Sequence, residues 1–272
     1  MPAMAFARVA GRKVHYELHG EHAGVPLVLV MGVGGSCQGW LPFQVPAFAK
    51  RRRVLIYDHR GVGGSEDDGR PFTTRDLAAD LLGLLDALRI ERADLLGAFM
   101  GGMVAQHAGL DRPERVGRLV LVGTYARPDP KRRLLLEQWK EMLRADRSQD
   151  LLMRNRLLWT LRDETLDDTE LVEAMIAFFR RDGPAAPPEL FERQCDACLG
   201  HDLLDRLGAL HRPTLLICGE HDQLTPPRLH RQMGERLPDG RLVVLPHAGH
   251  LVEVETAERF NQVVEQFLDE ER

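Results

Sequence analysis

The stretch Ala93-Asp94-Leu95-Leu96-Gly97-Ala98-Phe99-Met100-Gly101-Gly102-Met103-Val104-Ala105-Gln106 constrains the fold of this 272-residue chain more than any other. It reads as a short apolar strand, a tight glycine-flanked turn and the start of a helix. Small residues on both sides of position 99 permit a sharp strand-to-helix reversal, which lifts the central side chain clear of the strand. A strand leading directly into a helix is a building unit of a mostly parallel sheet covered by helices.

The rest of the chain repeats that unit. Val14 to His19 reads as an early strand, and Pro26-Leu27-Val28-Leu29-Val30-Met31 is apolar throughout, as expected when both faces of a strand are covered. Gly32 ends it. Arg53-Val54-Leu55-Ile56-Tyr57-Asp58 follows, then the Gly-rich turn Arg60-Gly61-Val62-Gly63-Gly64-Ser65. Leu77, Leu81, Leu84, Leu85 and Leu88 recur at helical spacing. A helix from Met100 to Leu110 and a strand from Val116 to Gly123 come next. At Pro128-Asp129-Pro130 the alternation stops, and Lys131 to Leu207 is rich in Leu, Arg and acids with helical periodicity. Strands resume at Pro213 to Cys218 and Arg241 to Leu245, and a last helix runs from about Glu255 to Leu268. The expected fold is α/β, with about eight mostly parallel strands covered by helices. Residues 1–127 and 208–272 form the core, and 128–207 form an inserted helical lid.

Composition narrows the partners. Net charge is −5 and the pI about 6.1, so there is no basic field for nucleic acid and no pull toward anionic membranes. No run approaches the 18 or more apolar residues of a membrane helix, and Met1 to Arg12 lacks the apolar segment of a secretory signal. Cys37, Cys195, Cys198 and Cys218 are scattered, which argues for reduced thiols and a cytoplasmic setting. A small-molecule substrate is the expected partner, and the sequence carries no sign of oligomeric state.

The ordered set Met31-Gly32-Val33-Gly34-Gly35-Ser36, Asp58-His59-Arg60-Gly61-Val62-Gly63-Gly64-Ser65, the strand-turn-helix at 99, Gly219-Glu220-His221-Asp222 and Ala248-Gly249-His250 resembles the α/β-hydrolase superfamily. The general likeness is to bacterial single-domain esterases and lactonases, and it covers nearly the whole chain. That resemblance makes the turn at 99 the nucleophile elbow G-x-S-x-G, where Phe99 stands in place of the serine. It implies Asp222 as the acid, His250 as the general base with His247 its nearby rival, and the backbone N–H groups of Val33 and Met100 as the oxyanion hole. Met31 stands where a histidine is common, which costs little because the donors are main-chain atoms. Asp58 to Ser65 is expected to be structural, with Asp58 and Arg60 bracing the turn. No metal or cofactor is implied.

A phenyl ring cannot attack a carbonyl, so three readings stay open. The chain is a serine ester or lactone hydrolase whose acyl-enzyme route is lost or strongly reduced, by a natural or an introduced change. Alternatively it is a lyase, cyclase or proton-transfer enzyme using Asp222 and His250 as a base. Otherwise it is an inactive ligand-binding module. In each case the Phe99 ring is expected to project into the pocket. Ser36 and Cys37 are weak stand-ins, expected to be a turn hydrogen-bonder and a small buried hydrophobe. Cys195, Cys198 and His201 lack a second paired motif and are expected to be lid packing, not a zinc site. Trp139, Trp159 and Phe178 are expected to line the lid side of the pocket, which suits an apolar ester, lactone or related carbonyl compound. Arg154, Arg156, Arg162, Arg180 and Arg181 could steer an acid, but are expected on a solvated helix face.

Overall fold

A computed structural model describes residues 5–146, 148–181 and 185–270, without the side chains of 178–181. The strands are β1 (Ala5–Val9), β2 (Arg12–His19), β3 (Leu27–Val30), β4 (Val54–Tyr57), β5 (Ala93–Ala98), β6 (Val116–Val122), β7 (Thr214–Gly219) and β8 (Gly240–Leu245). They form one sheet in the order β1-β2-β4-β3-β5-β6-β7-β8. The β1–β2 and β2–β4 pairs are antiparallel and the remaining pairs are parallel. This is the α/β-hydrolase architecture, with the expected number of strands.

The apolar runs form central strands because alternate residues serve different cores. Val28, Val30, Leu55, Tyr57, Leu95, Leu119 and Leu121 pack on one face. Leu27, Leu29, Val54, Ile56, Leu96, Val120 and Val122 pack on the other. A strand buried on both faces has no solvated side to place polar residues on. Two boundaries differ from expectation. The first strand unit is a hairpin, β1 with β2, whose outer strand alternates between half-buried and exposed residues and so lacks an apolar signature. The C-terminal helix is broken by a non-helical Thr256 (φ −130°, ψ 39°).

The helices are α1 (Gln44–Phe48), α2 (Thr74–Ala87), α3 (Met100–Asp111), α4 (Pro130–Ala145), α5 (Asp150–Thr160), α6 (Asp163–Asp167), α7 (Thr169–Arg181), α8 (Pro188–Leu199), α9 (Pro227–Gly234), α10 (Val252–Glu255) and α11 (Ala257–Asp269). Thr73 and Asp76 cap α2 reciprocally, side chain to backbone in both directions, which starts the helix one residue later. Its stripe Leu77, Leu81, Leu84 and Leu85 is fully buried. Helices α4 to α8 lie in the chain between β6 and β7, where the strand signals stop.

Helix α3 crosses the sheet at almost no distance. A Cβ on Gly97 would lie 2.2 Å from the Gly101 carbonyl oxygen, and one on Gly101 would lie 2.0 Å from that of Val30. Neither obstacle is a flexible side chain, so relief requires moving a strand. Gly101→Ala is therefore expected to destabilise the protein by about 2–3 kcal/mol or to prevent folding, measured by urea unfolding. A loss below about 0.5 kcal/mol would contradict the close packing.

Candidate active site

The C-terminal ends of β3, β5, β7 and β8 converge, where an open α/β sheet places its ligands. Phe99 follows β5 with φ 45° and ψ −106°. Positive φ costs a bulky residue about 1–3 kcal/mol unless its surroundings impose it. Here they do. Its N–H donates to the Val122 carbonyl at 2.9 Å. Its own carbonyl accepts from the Thr124 hydroxyl at 2.7 Å and the Gly102 N–H at 3.0 Å. The side chain is 5% exposed, edge-to-face with Tyr125 at 5.8 Å and with His250 at 5.6 Å between centroids. The ring therefore packs between Tyr125 and His250.

Asp222 and His250 meet. The His250 Nδ1–H donates to Asp222 Oδ2 at 3.0 Å. Thr225, which sequence reasoning missed, locks the carboxylate: its backbone N–H donates to Oδ1 at 2.6 Å and its hydroxyl to Oδ2 at 2.7 Å. The spacing Asp222-x-x-Thr225 ahead of Pro226 is the signal that could have found it, because Asp carboxylates commonly accept from the backbone just downstream. Gly123 lies under the imidazole, where a Cβ would come within 2.9 Å of His250 Cε1. The His250 and Leu251 N–H groups both donate to the Thr160 carbonyl, at 2.8 and 3.1 Å, so the end of α5 holds the histidine loop. The rival His247 is exposed.

Burial opposes charge on both partners, and their mutual interaction overrides it. For His250 desolvation lowers the pKa, but the Asp222 charge and hydrogen bond leave it above its ordinary 6.5. For Asp222 desolvation raises the pKa, but His250 and the Thr225 bonds leave it below its ordinary 3.8. Two further buried groups stand nearby. Burial pushes Glu253 up to about 7, and pushes His230 down to about 4. His230 is thus neutral, and its Nε2 accepts from the Thr124 N–H at 3.1 Å.

The loop after β3 lies against the elbow, so that a Cβ on Gly32 would be 3.4 Å from Phe99 Cβ. Val33 and Met100 are both buried. The Val33 carbonyl accepts from Arg156 Nη2 at 3.0 Å, and the Gly34 N–H donates to Gln194 Oε1 at 2.8 Å. Residues of α5 and α8 therefore fix the main chain of the loop after β3. Arg156 departs from expectation: it is not on a solvated face but inserted over the Trp139 and Phe191 rings, at 5.7 and 5.3 Å. Stacking and the carbonyl hydrogen bond compensate its partial desolvation.

The remaining expected residues are dispersed. Trp139 is 1% exposed, donates to Asn155 Oδ1 at 3.0 Å and packs against Phe191. Trp159 is half-buried under the Lys131 ammonium, 4.7 Å from its ring centroid. The Phe178 side chain, like those of Arg180 and Arg181, lies outside the described residues. Cys195 and Cys198 are buried in α8, and His201 bonds Thr74 Oγ1 at 3.0 Å. Arg60 pairs with Asp80 at 2.6 Å, while Asp58 accepts from the Cys37 and Gly64 N–H groups and so braces the turn. Cys37 is buried among the apolar residues of the second core, as expected, and its Sγ also stands 3.8 Å from His15 Nδ1. A cleft of about 450 Å³ opens beside the Asp222 loop, lined by charged groups including Lys131, Arg162 and Glu220.

The raised His250 value and the lowered Asp222 value set a stability window. The pair's contribution is whole between about pH 4 and pH 6.5. It is lost as pH rises through the folded His250 value, and again as pH falls through the folded Asp222 value. We expect Asp222→Asn to move the His250 NMR titration midpoint downward by at least about one pH unit. An unmoved midpoint would contradict the ion pair.

Comparison with known proteins agrees with this fold. The model of the α/β hydrolase fold family matches residues 25–255. A protein of Azorhizobium caulinodans, provisionally named a carbamate hydrolase, is 30% identical over 98% of this chain and 99% of its own length. Among solved structures, the enol-lactonase from Burkholderia xenovorans LB400 superposes with a TM-score of 0.88 at 31% identity, covering 98% of this chain and 100% of that one. A hydrolase from Pseudomonas aeruginosa PA01 gives a TM-score of 0.87 at 32% identity, with 98% of each chain covered. The chain belongs to the α/β-hydrolase family.

Proposed function

We propose that this protein is an ester- or lactone-type α/β-hydrolase whose acyl-enzyme route is closed by Phe99, while its acid, base and oxyanion donors are retained. The observation that carries this reading is the edge-to-face contact of the Phe99 ring with His250 at 5.6 Å. A serine hydroxyl at that backbone position would accept the role of nucleophile, with His250 taking its proton and Asp222 holding the imidazolium. The N–H groups of Val33 and Met100 would stabilise the oxyanion.

The retained parts argue for a small carbonyl substrate, and α4 to α8 serve as a cap over it. The names of the relatives, a carbamate hydrolase and an enol-lactonase, support that class. The four cysteines are all free and buried, which agrees with a reducing, cytoplasmic setting. No helix among the described residues is long and apolar enough to cross a membrane. A base acting without a nucleophile is the weaker reading, because the ring lies against His250 where such a base would meet its substrate.

Loss of a triad nucleophile costs about a millionfold in turnover, with roughly 10³–10⁴ over water left to the rest of the site. Phe99→Ser is accordingly expected to raise kcat/KM on short activated esters or lactones by at least about 10³-fold. Adding His250→Gln should abolish that gain. A folded Phe99→Ser protein with no gain on any member of the panel would sink the reading.

A further inference from the structure

Away from the elbow, β2 carries His15, Glu17 and His19 at alternate positions, so the three share one face of the strand. The short 3-10 turn Cys37–Trp40, just beyond the oxyanion loop, brings Cys37 to them. Potential ligand atoms of His15, Glu17 and Cys37 lie within 4.8 Å of one another, and all three residues are buried.

The decisive atom is His15 Nε2. The His15 Nδ1–H donates to Asp58 Oδ2 at 2.8 Å, which leaves Nε2 as the ring nitrogen free for a further partner. That nitrogen is buried without a hydrogen-bond partner, and it stands 3.8 Å from Glu17 Oε1. A buried imidazole nitrogen facing a carboxylate calls for a positive group between them, a proton or a metal ion. Imidazole and carboxylate on one tetrahedral zinc stand about 3.4 Å apart, from bonds of about 2.0–2.2 Å. Closing the observed gap takes side-chain rotations of His15 and Glu17, and Cys37 Sγ, which stands 3.8 Å from His15 Nδ1, must rotate to reach the same ion.

We propose that His15 Nε2, Glu17 Oε1 and Cys37 Sγ bind a zinc-class divalent cation that ties the β1–β2 hairpin to the turn following the oxyanion loop. A mixed nitrogen, oxygen and sulfur set suits zinc or cobalt and not magnesium or calcium. Water supplies a fourth ligand. Asp58 orients His15 from behind, and His19 Nε2, 3.1 Å from Glu17 Oε2, does the same for the carboxylate. The exposed Gln38 amide now donates to Glu17 Oε1 at 2.6 Å and swings aside on binding. Cys37 gives its S–H proton to solvent as the metal–sulfur bond forms, with no change of oxidation state. This site is independent of the hydrolase reading, and its test does not use activity.

The full chain, stripped with a chelator, is titrated with Co²⁺. The expected result is one equivalent bound with a thiolate-to-cobalt charge-transfer band in the near ultraviolet, displaced by Zn²⁺ and unaffected by excess Mg²⁺. Cys37→Ser should remove the band. Glu17→Gln should weaken binding by about tenfold or more, and Zn²⁺ should protect Cys37 of the unsubstituted chain from thiol reagents. These last two readouts serve if Cys37→Ser does not fold. No stoichiometric binding, or binding without the band, would overturn the site.

Discussion

The close crossing of α3 over β3 and β5 is the constraint on which the rest depends. With Gly97 and Gly101 in contact and Gly101 against the Val30 carbonyl, the chain has no room for a relaxed turn at 99. Positive φ there is a consequence of that approach. The hydroxyl of Thr124 and the N–H of Gly102 then fix the Phe99 carbonyl. Whatever side chain occupies position 99 is thereby presented at the sheet's C-terminal edge. A large aromatic residue at a strained position persists because the fold, not the residue, sets the conformation, and because its ring recovers contacts with Tyr125 and His250.

The same edge is braced from the helical insertion. Thr160 holds the His250 backbone, Arg156 and Gln194 hold the loop carrying Val33, and Glu255 accepts from the Gly249 and Arg162 N–H groups at 2.6 and 3.2 Å. Helices α4 to α8 thus brace the loops that carry His250 and Val33. Movement of α5 would be felt both at His250 and at the loop carrying Val33.

Much of this was legible in the sequence, for identifiable reasons. Central strands buried on both faces carry continuous apolar runs, so β3 to β7 announce themselves. The elbow is readable because only small residues tolerate its crossing. Asp222 and His250 were reached through motif resemblance, and the structure brings them together. Strand β1 was not legible, since an exposed edge strand carries no apolar run. Thr225 was missed because its partner's role hid the turn spacing. Arg156 read as solvated because nothing local shows that Trp139 and Phe191 lie beneath it. The alternation His15, Glu17, His19 was in plain sight, but Cys37 and Asp58 join it only once β2, β4 and the turn after β3 are assembled.

The central claim is that everything needed for acyl transfer is present except the attacking atom at position 99. Intact-mass measurement after treatment with a fluorophosphonate tests it most directly, because the reagent needs an activated nucleophile and an oxyanion site but no knowledge of the substrate. The account predicts that Phe99→Ser gains a single phosphonyl group at position 99, slowed sharply by His250→Gln, while the unsubstituted chain gains none. A folded Phe99→Ser protein that stays unlabelled, or an unsubstituted chain labelled at another hydroxyl such as that of Ser36, would contradict it.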